Sequence, residues 1–207
     1  MQGCDVELCG MGDESVFDGF KCHTLNPYPD NKFLNWAMWR LMGQGAASFV
    51  RAHVDEYDAI VFSFLPARSV EAMKAACRSR GTVFAGDFTE WFEPEQFPKG
   101  ERDGGYLDHI RLLTQAVDPA VKVIAISSYL QRHFEAMGCN VLRVPAVLDI
   151  EELAPRDISV RPKSEVRLMY AGSPAKKDAL HIVLAAISEL SAEERGRLRL
   201  DLYGVTD

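Results

Sequence analysis

Short apolar runs alternate along the chain with longer segments whose apolar residues recur every three or four positions. Ala59-Ile60-Val61-Phe62 is a continuous apolar run of the kind a buried parallel strand shows. Ser69 to Arg80 follows with Val70, Met73, Ala76 and Cys77 at helical spacing, and Gly81 supplies the stop. Thr82 to Ala85 predicts the next strand, opening into Gly86-Asp87-Phe88-Thr89-Glu90-Trp91-Phe92. Gly104 to Val117 predicts a helix through Leu107, Ile110, Leu113 and Ala116. Val121 to Ile126 reads as strand, Ser127 to Met137 as a serine-started helix stopped by Gly138, and Val141 to Val144 as strand closed by Pro145.

Before this regular stretch the pattern is weaker. Val6 to Leu8 reads as a short strand followed by the Gly10-Met11-Gly12-Asp13 turn, and Phe20 to Leu25 as an extended piece ended by Asn26-Pro27-Tyr28-Pro29. Phe33 to Val54 predicts a helix weakened by Gly43 and Gly45. From 149 to 165 the pattern dissolves into charged residues and two prolines, the composition of a linker. It then resumes as strand Val166 to Ala171, helix Lys176 to Leu190, a capping box at Ser191 to Glu194, and strand Leu198 to Tyr203.

Strands alternating with helices at this spacing predict an α/β fold of right-handed βαβ units around a mostly parallel, Rossmann-like sheet. Three regions follow: residues 1–148 as one Rossmann-like domain, 149–165 as linker, and 166–207 as the first βαβ unit of a second such domain. Composition narrows the function. The 207 residues carry 23 Lys and Arg against 30 Asp and Glu, a formal charge of -7, which argues against a phosphate-backbone partner such as nucleic acid. No apolar run is long enough for a membrane span, and Met1 to Gly10 has no signal-peptide pattern. The five cysteines are scattered without CxxC spacing, so metal sites and disulfide frameworks are not indicated, and a cytoplasmic protein with reduced thiols is.

Candidate chemistry sits where these strands end, because ligands of open α/β sheets bind beyond the carboxyl ends of the strands. Gly172-Ser173-Pro174-Ala175-Lys176-Lys177-Asp178 opens a helix after a strand. Its glycine, helix N-terminus and lysines suit a diphosphate, with an ordinary βα turn as the plain alternative. Asp87, Thr89, Glu90 and Trp91 could accept hydroxyl protons and stack an apolar face, or could cap a short helix and fill the core. Ser127 could meet a ligand, with capping the commoner role, and the Gly10-Met11-Gly12 turn could bring backbone near a ligand, with a plain turn the commoner reading. His109, beside Asp108 and after the acidic aromatic loop, is the histidine best placed for base chemistry, although packing histidines are commoner. His53 and His133 fall on helix faces expected to be exposed. No strand is followed by GxGxxG, which disfavours a dinucleotide-dependent oxidoreductase.

Leu168-Met169-Tyr170-Ala171-Gly172-Ser173-Pro174-Ala175-Lys176-Lys177-Asp178, with the strand ending Leu200-Asp201-Leu202-Tyr203-Gly204, resembles the opening of the C-terminal domain of bacterial family 4 (group 1) glycosyltransferases. Ile124 to Leu130, Gly138 and Val144-Pro145 resemble the end of the family's N-terminal domain, and Asp87 to Trp91 is similar to an acidic aromatic loop of some members. The resemblance implies a GT-B fold and a retaining transfer from a nucleoside-diphosphate sugar to a hydroxyl acceptor, without a cofactor or essential metal, in polysaccharide or glycoconjugate synthesis.

It implies that Gly172, Ser173 and Lys177 face the donor diphosphate and that Asp87, Thr89, Glu90, Trp91 and Ser127 border the acceptor. Asp87 and His109 are the candidates for a catalytic role. A lipid-linked acceptor, and with it a peripheral place at the inner membrane surface, belongs to the same expectation. Two positions depart from the family pattern, Ser173 for arginine and Asp178 for glycine. The family's later ExxxxxxxE element and its first strand have no counterpart, so the resemblance reads the chain as a fragment that is inactive alone. The alternative is a non-catalytic Rossmann-like module that binds a ligand or partner.

Overall fold

The computed structural model describes residues 3–11, 16–17, 19–26, 45–147, 165–172 and 178–204. They fall in two compact units, Met1–Val147 and Leu148–Asp207. The expected Asn26–Pro29 turn (from Pro27 on), the first part of the Phe33 helix, all but the last residue of the 149–165 linker, and Ser173 to Lys177 lie outside the described residues.

The first unit is built on four parallel strands, β4 (Ala59–Phe62), β5 (Val83–Phe88), β6 (Lys122–Ala125) and β7 (Asn140–Arg143), side by side in chain order. Each step between them crosses through a helix: α2 (Ala67–Arg80), α3 (Gly104–Arg111) and α4 (Ser128–Ala136). This is the expected Rossmann-like α/β arrangement. Right-handed crossovers that always step the same way put all three helices on one face. That face holds Phe62, Phe84, Phe88, Val123 and Ala125, packed with Val70, Met73, Leu113, Leu130 and Phe134. On the opposite face Val61 and Leu142, on the two edge strands, are 58% and 62% exposed, and Val83 at the start of β5 is 48% exposed. Helix boundaries follow their chemistry. Gly81 ends α2 at φ 78°, Ser127 caps α4 by accepting the Leu130 N–H, and Gly138, at φ 81°, follows it.

In this sheet and its helices two elements differ from the expected pattern. Strand β5 runs to Phe88 rather than stopping at Ala85, because Asp87 and Phe88 continue the register opposite Ile124 and Ala125. The Gly104 helix does not stay regular to Val117. Residues Leu112–Ala116 widen into a π turn, closed by the Val117 N–H on the Leu112 carbonyl at 3.1 Å. This turn buries Leu112, Leu113, Ala116 and Val117 together. Side chains from elsewhere serve its carbonyls: His133 Nε2 donates to Leu113 O at 3.0 Å and Lys74 Nζ to Ala116 O at 2.7 Å. His133 is therefore half-buried and bonded rather than exposed, because the π turn presents it with a carbonyl.

A second small sheet precedes these strands. β1 (Glu7–Met11) and β3 (Phe20–Asn26) pair in parallel, and β2 (Val16–Phe17) folds back on β3 as a short antiparallel piece; Gly10 and Met11, expected to turn, continue β1 because they pair with Thr24 and Asn26, and Gly12 and Asp13 lie outside the described residues. Helix α1, described over residues 45–53, follows and buries Ala46, Ala47 and Val50 in the main core. Glu7 joins the small sheet to the chain ahead of β4. Its carboxylate accepts from Lys21 Nζ at 2.8 Å, His23 Nε2 at 2.7 Å and Tyr57 OH at 2.7 Å. The hydrogen bonds from Lys21, Tyr57 and His23 hold the Glu7 carboxyl down at about 2.

In the second unit β8 (Val166–Ala171) and β9 (Leu198–Tyr203) pair in parallel over six residues each. Helix α5 (Leu180–Glu189) begins later than the expected Lys176, because Ala179 takes a left-handed conformation at φ 52° and stands as its N-cap, and α6 (Ala192–Gly196) starts on a capping box between Ser191 and Glu194. Among the described residues of both units, no helix is long and apolar enough to cross a membrane.

Two substitutions test this architecture. A Cβ at Gly86 would lie 2.5 Å from the Phe88 ring and 2.7 Å from the Phe62 ring, and both rings are locked in the core. Gly86→Ala is expected to cost about 1–3 kcal/mol in urea unfolding; wild-type stability would disprove this packing. Glu7 contributes stability that is present above its unfolded value of 4.5 and lost as pH falls toward about 2. Glu7→Gln is expected to lower the melting temperature at neutral pH and to flatten the acid limb between those values, measured by thermal melts across pH.

Candidate functional site

The carboxyl ends of β4, β5 and β6 lie next to one another, and the loops leaving them are held by α3. Asp103 caps α3 itself, accepting the Gly105 N–H at 2.8 Å. Asp108 Oδ2 accepts the Ala67 N–H at 3.1 Å, so α2, which has no capping side chain of its own at Pro66, borrows its N-terminal carboxylate from α3. His109 Nε2 accepts the Phe92 N–H at 3.1 Å and fixes the loop after β5. Its ring must then be neutral with the proton on Nδ1. Burial pushes the His109 imidazolium down, and the nearby Asp108 and Glu90 charges oppose that only in part.

Around this anchor the rings form a row. Phe64, after β4, lies 6.4 Å from Phe92, whose ring meets His109 at 4.9 Å. Trp91 meets His109 at 6.5 Å, His133 at 5.0 Å and Tyr129 at 5.4 Å, each edge to face. The row thus crosses the ends of three adjacent strands, about 10 Å at the usual strand spacing. Both ends of it are open, Phe64 at 56% and Tyr129 at 53% exposure. Phe64 also carries backbone strain. Its φ is 51°, a left-handed conformation that costs a bulky residue roughly 1–3 kcal/mol.

The residues expected at the acceptor side lie at the ends of β5 and β6, and of these Trp91 belongs to the ring row. Asp87 sits half-buried near the end of β5, on the face opposite Phe88, and Thr89 and Glu90 follow it half-buried. Trp91 is partly buried against the core as well as flanking the site. Ser127 stands at the end of β6, where its hydroxyl oxygen caps α4 at 3.2 Å and its hydrogen stays available to donate. His109 is present, but the lone pair a general base would use accepts the Phe92 N–H. Phe64 and Asp108 escaped the sequence reading. No local signal marks a left-handed phenylalanine, and Asp108 caps a helix 41 positions away in sequence.

In the second unit Gly172 stands at the carboxyl end of β8 with φ 151°, and its N–H donates to the Tyr203 carbonyl at 3.0 Å. Tyr170 OH donates to Asp178 Oδ2 at 3.0 Å, which ties the two ends of the expected diphosphate loop together. Ser173 and Lys177 lie outside the described residues. Among the described residues no cluster of three His, Cys, Asp or Glu is arranged to hold a metal ion. No known protein family matches the chain, and no curated protein matches it either.

The His109 bond predicts a pH response. The folded state favours neutral His109, so this contribution to stability is full above the ordinary value of 6.5 and is lost as pH falls through the lowered one. The Phe92 amide resonance is expected to move as pH drops from about 7 to about 5, and His109→Gln, which keeps an acceptor but does not titrate, is expected to abolish the movement. An equal shift in the variant would show that another group is responsible.

Proposed function

We propose that the chain carries the acceptor-side unit and the opening of the donor-side unit of a GT-B glycosyltransferase that transfers with retention. The observation supporting this best is the loop after β8. A glycine with positive φ at the carboxyl end of a strand is followed by Ser173-Pro174-Ala175-Lys176-Lys177, and the loop ends are joined by Tyr170 and Asp178.

In the proposed reaction the bond from the sugar's anomeric carbon to the diphosphate breaks, and a bond to an acceptor hydroxyl oxygen forms. The hydroxyl proton leaves to a base or to the departing diphosphate. Gly172 lets the backbone approach that diphosphate, while Ser173 and Lys177 donate to it and neutralise its growing charge. On the acceptor side Asp87 is the carboxylate best placed to take a hydroxyl hydrogen bond, and His109 serves by holding the loop rather than by taking the proton. Asp178, where the resembled family has glycine, gains a purpose here as the acceptor for Tyr170.

Calorimetric titration with uridine, guanosine and adenosine diphosphates tests the reading. At least one is expected to bind, and Lys177→Ala is expected to weaken it about tenfold. The proposal fails if none of the three binds, or if the variant binds as tightly as the wild type.

A further inference from the structure

None of the described residues of the second unit is buried, and along α5 the successive side chains Ile182, Val183 and Leu184 are all exposed. Three successive residues span about 200° around a helix, and a helix apolar over so wide an arc belongs in a core. Two strands are too narrow a sheet to provide one. We propose that the second unit associates with a second copy of itself. β9 pairs antiparallel with the β9 of that copy about a two-fold axis at Leu200, giving a four-stranded sheet in the order β8-β9-β9-β8. The inference concerns assembly and stands apart from the glycosyl-transfer reading.

The free edge of β9 carries the argument. Among the described residues β9 pairs with β8 alone. The carbonyls of Arg197 and Tyr203 accept the N–H groups of Val166 and Gly172, so they point at β8. Backbone groups alternate in direction along a strand. Arg199 and Asp201 therefore also bond toward β8, and Leu198, Leu200 and Leu202 turn their N–H and C=O groups to the open side. An antiparallel partner must bond through those three leucines.

That requirement leaves few registers for a copy of the same strand. An axis at Arg199 sets two guanidinium groups directly opposite each other, and an axis at Asp201 does the same with two carboxylates. Like charges so placed destabilise a pair. An axis at Leu200 instead sets Arg199 opposite Asp201 of the second copy, and symmetry repeats the match. These become the non-hydrogen-bonded pairs, in which Cα atoms approach to about 4.5 Å and side chains meet most closely. Arg199 Nε already donates to Asp201 Oδ1 of its own chain at 2.9 Å, so the four groups close into a ring of alternating charge. On the other face of the sheet Leu198, Leu200 and Leu202 meet their copies beside Val166 and Leu168, which widens one apolar surface. The outer edge of β8 offers no such match, because Arg167 has no acid in that strand to face.

Sedimentation equilibrium of the full chain tests the pairing. A monomer–dimer equilibrium is expected between about 1 and about 100 μM. Arg199→Asp and Asp201→Arg each set like charges across the axis, and each is expected to weaken the dimer about tenfold. The exchanged double variant, Arg199→Asp with Asp201→Arg, restores the pairs and is expected to dimerise like the wild type, which separates loss of the pair from loss of the fold. Hydrogen exchange gives a second readout: the Leu200 N–H is expected to be protected in the dimer and to exchange freely on dilution. The proposal is overturned if the chain stays monomeric over the whole range, if the single reversals dimerise as tightly as the wild type, or if the double variant does not recover. Protection of the Leu200 N–H in the monomer would also overturn it, because another part of this chain would then occupy the edge.

Discussion

Two adjacent side chains on α3 hold the working end of the first unit. Asp108 closes the N-terminus of α2, and His109 closes the loop after β5, each by accepting one backbone N–H. Neighbours on a helix point about 100° apart, so a single turn of α3 can serve two loops that leave different strands. Neither loop supplies an equivalent bond from its own sequence: α2 begins at Pro66, which offers no capping side chain, and the Phe92 N–H turns inward. The position of the aromatic row follows from this pair. Phe92 and Trp91 are adjacent in sequence, and fixing the amide of one sets both rings against His109.

Much of the fold was legible because its strands are apolar and its helices periodic. Ala59–Phe62, Val166–Ala171 and Leu198–Tyr203 lie where their composition puts them, and Gly81, Ser127 and Gly138 mark helix ends by chemistry that needs no tertiary context. The failures were cooperative ones. Phe88 joins β5 because Ala125 offers a partner, and the π turn at Leu112–Ala116 exists because Lys74 and His133 arrive from α2 and α4 to satisfy its carbonyls. No window of residues around Leu112 contains that information. The site divides the same way. Asp87 to Trp91 advertised itself by composition at a strand end, whereas the strain at Phe64 arises from the turn between β4 and α2 and has no local signature.

The resemblance to glycosyltransferases and the physical reading of the loops draw on different residues. The first rests on Tyr170 to Asp178 in the second unit, the second on rings and carboxylates in the first.

The one-sided placement of α2, α3 and α4 has a thermal consequence. Val61, Val83 and Leu142 are already wetted in the folded state, so unfolding exposes less new apolar surface than it would from a sheet covered on both faces. The heat capacity of unfolding scales with that newly exposed surface, so the stability of this unit changes with temperature along a flatter curve. Anything that comes to cover the open face would steepen that curve, even if it touched none of the residues at the strand ends.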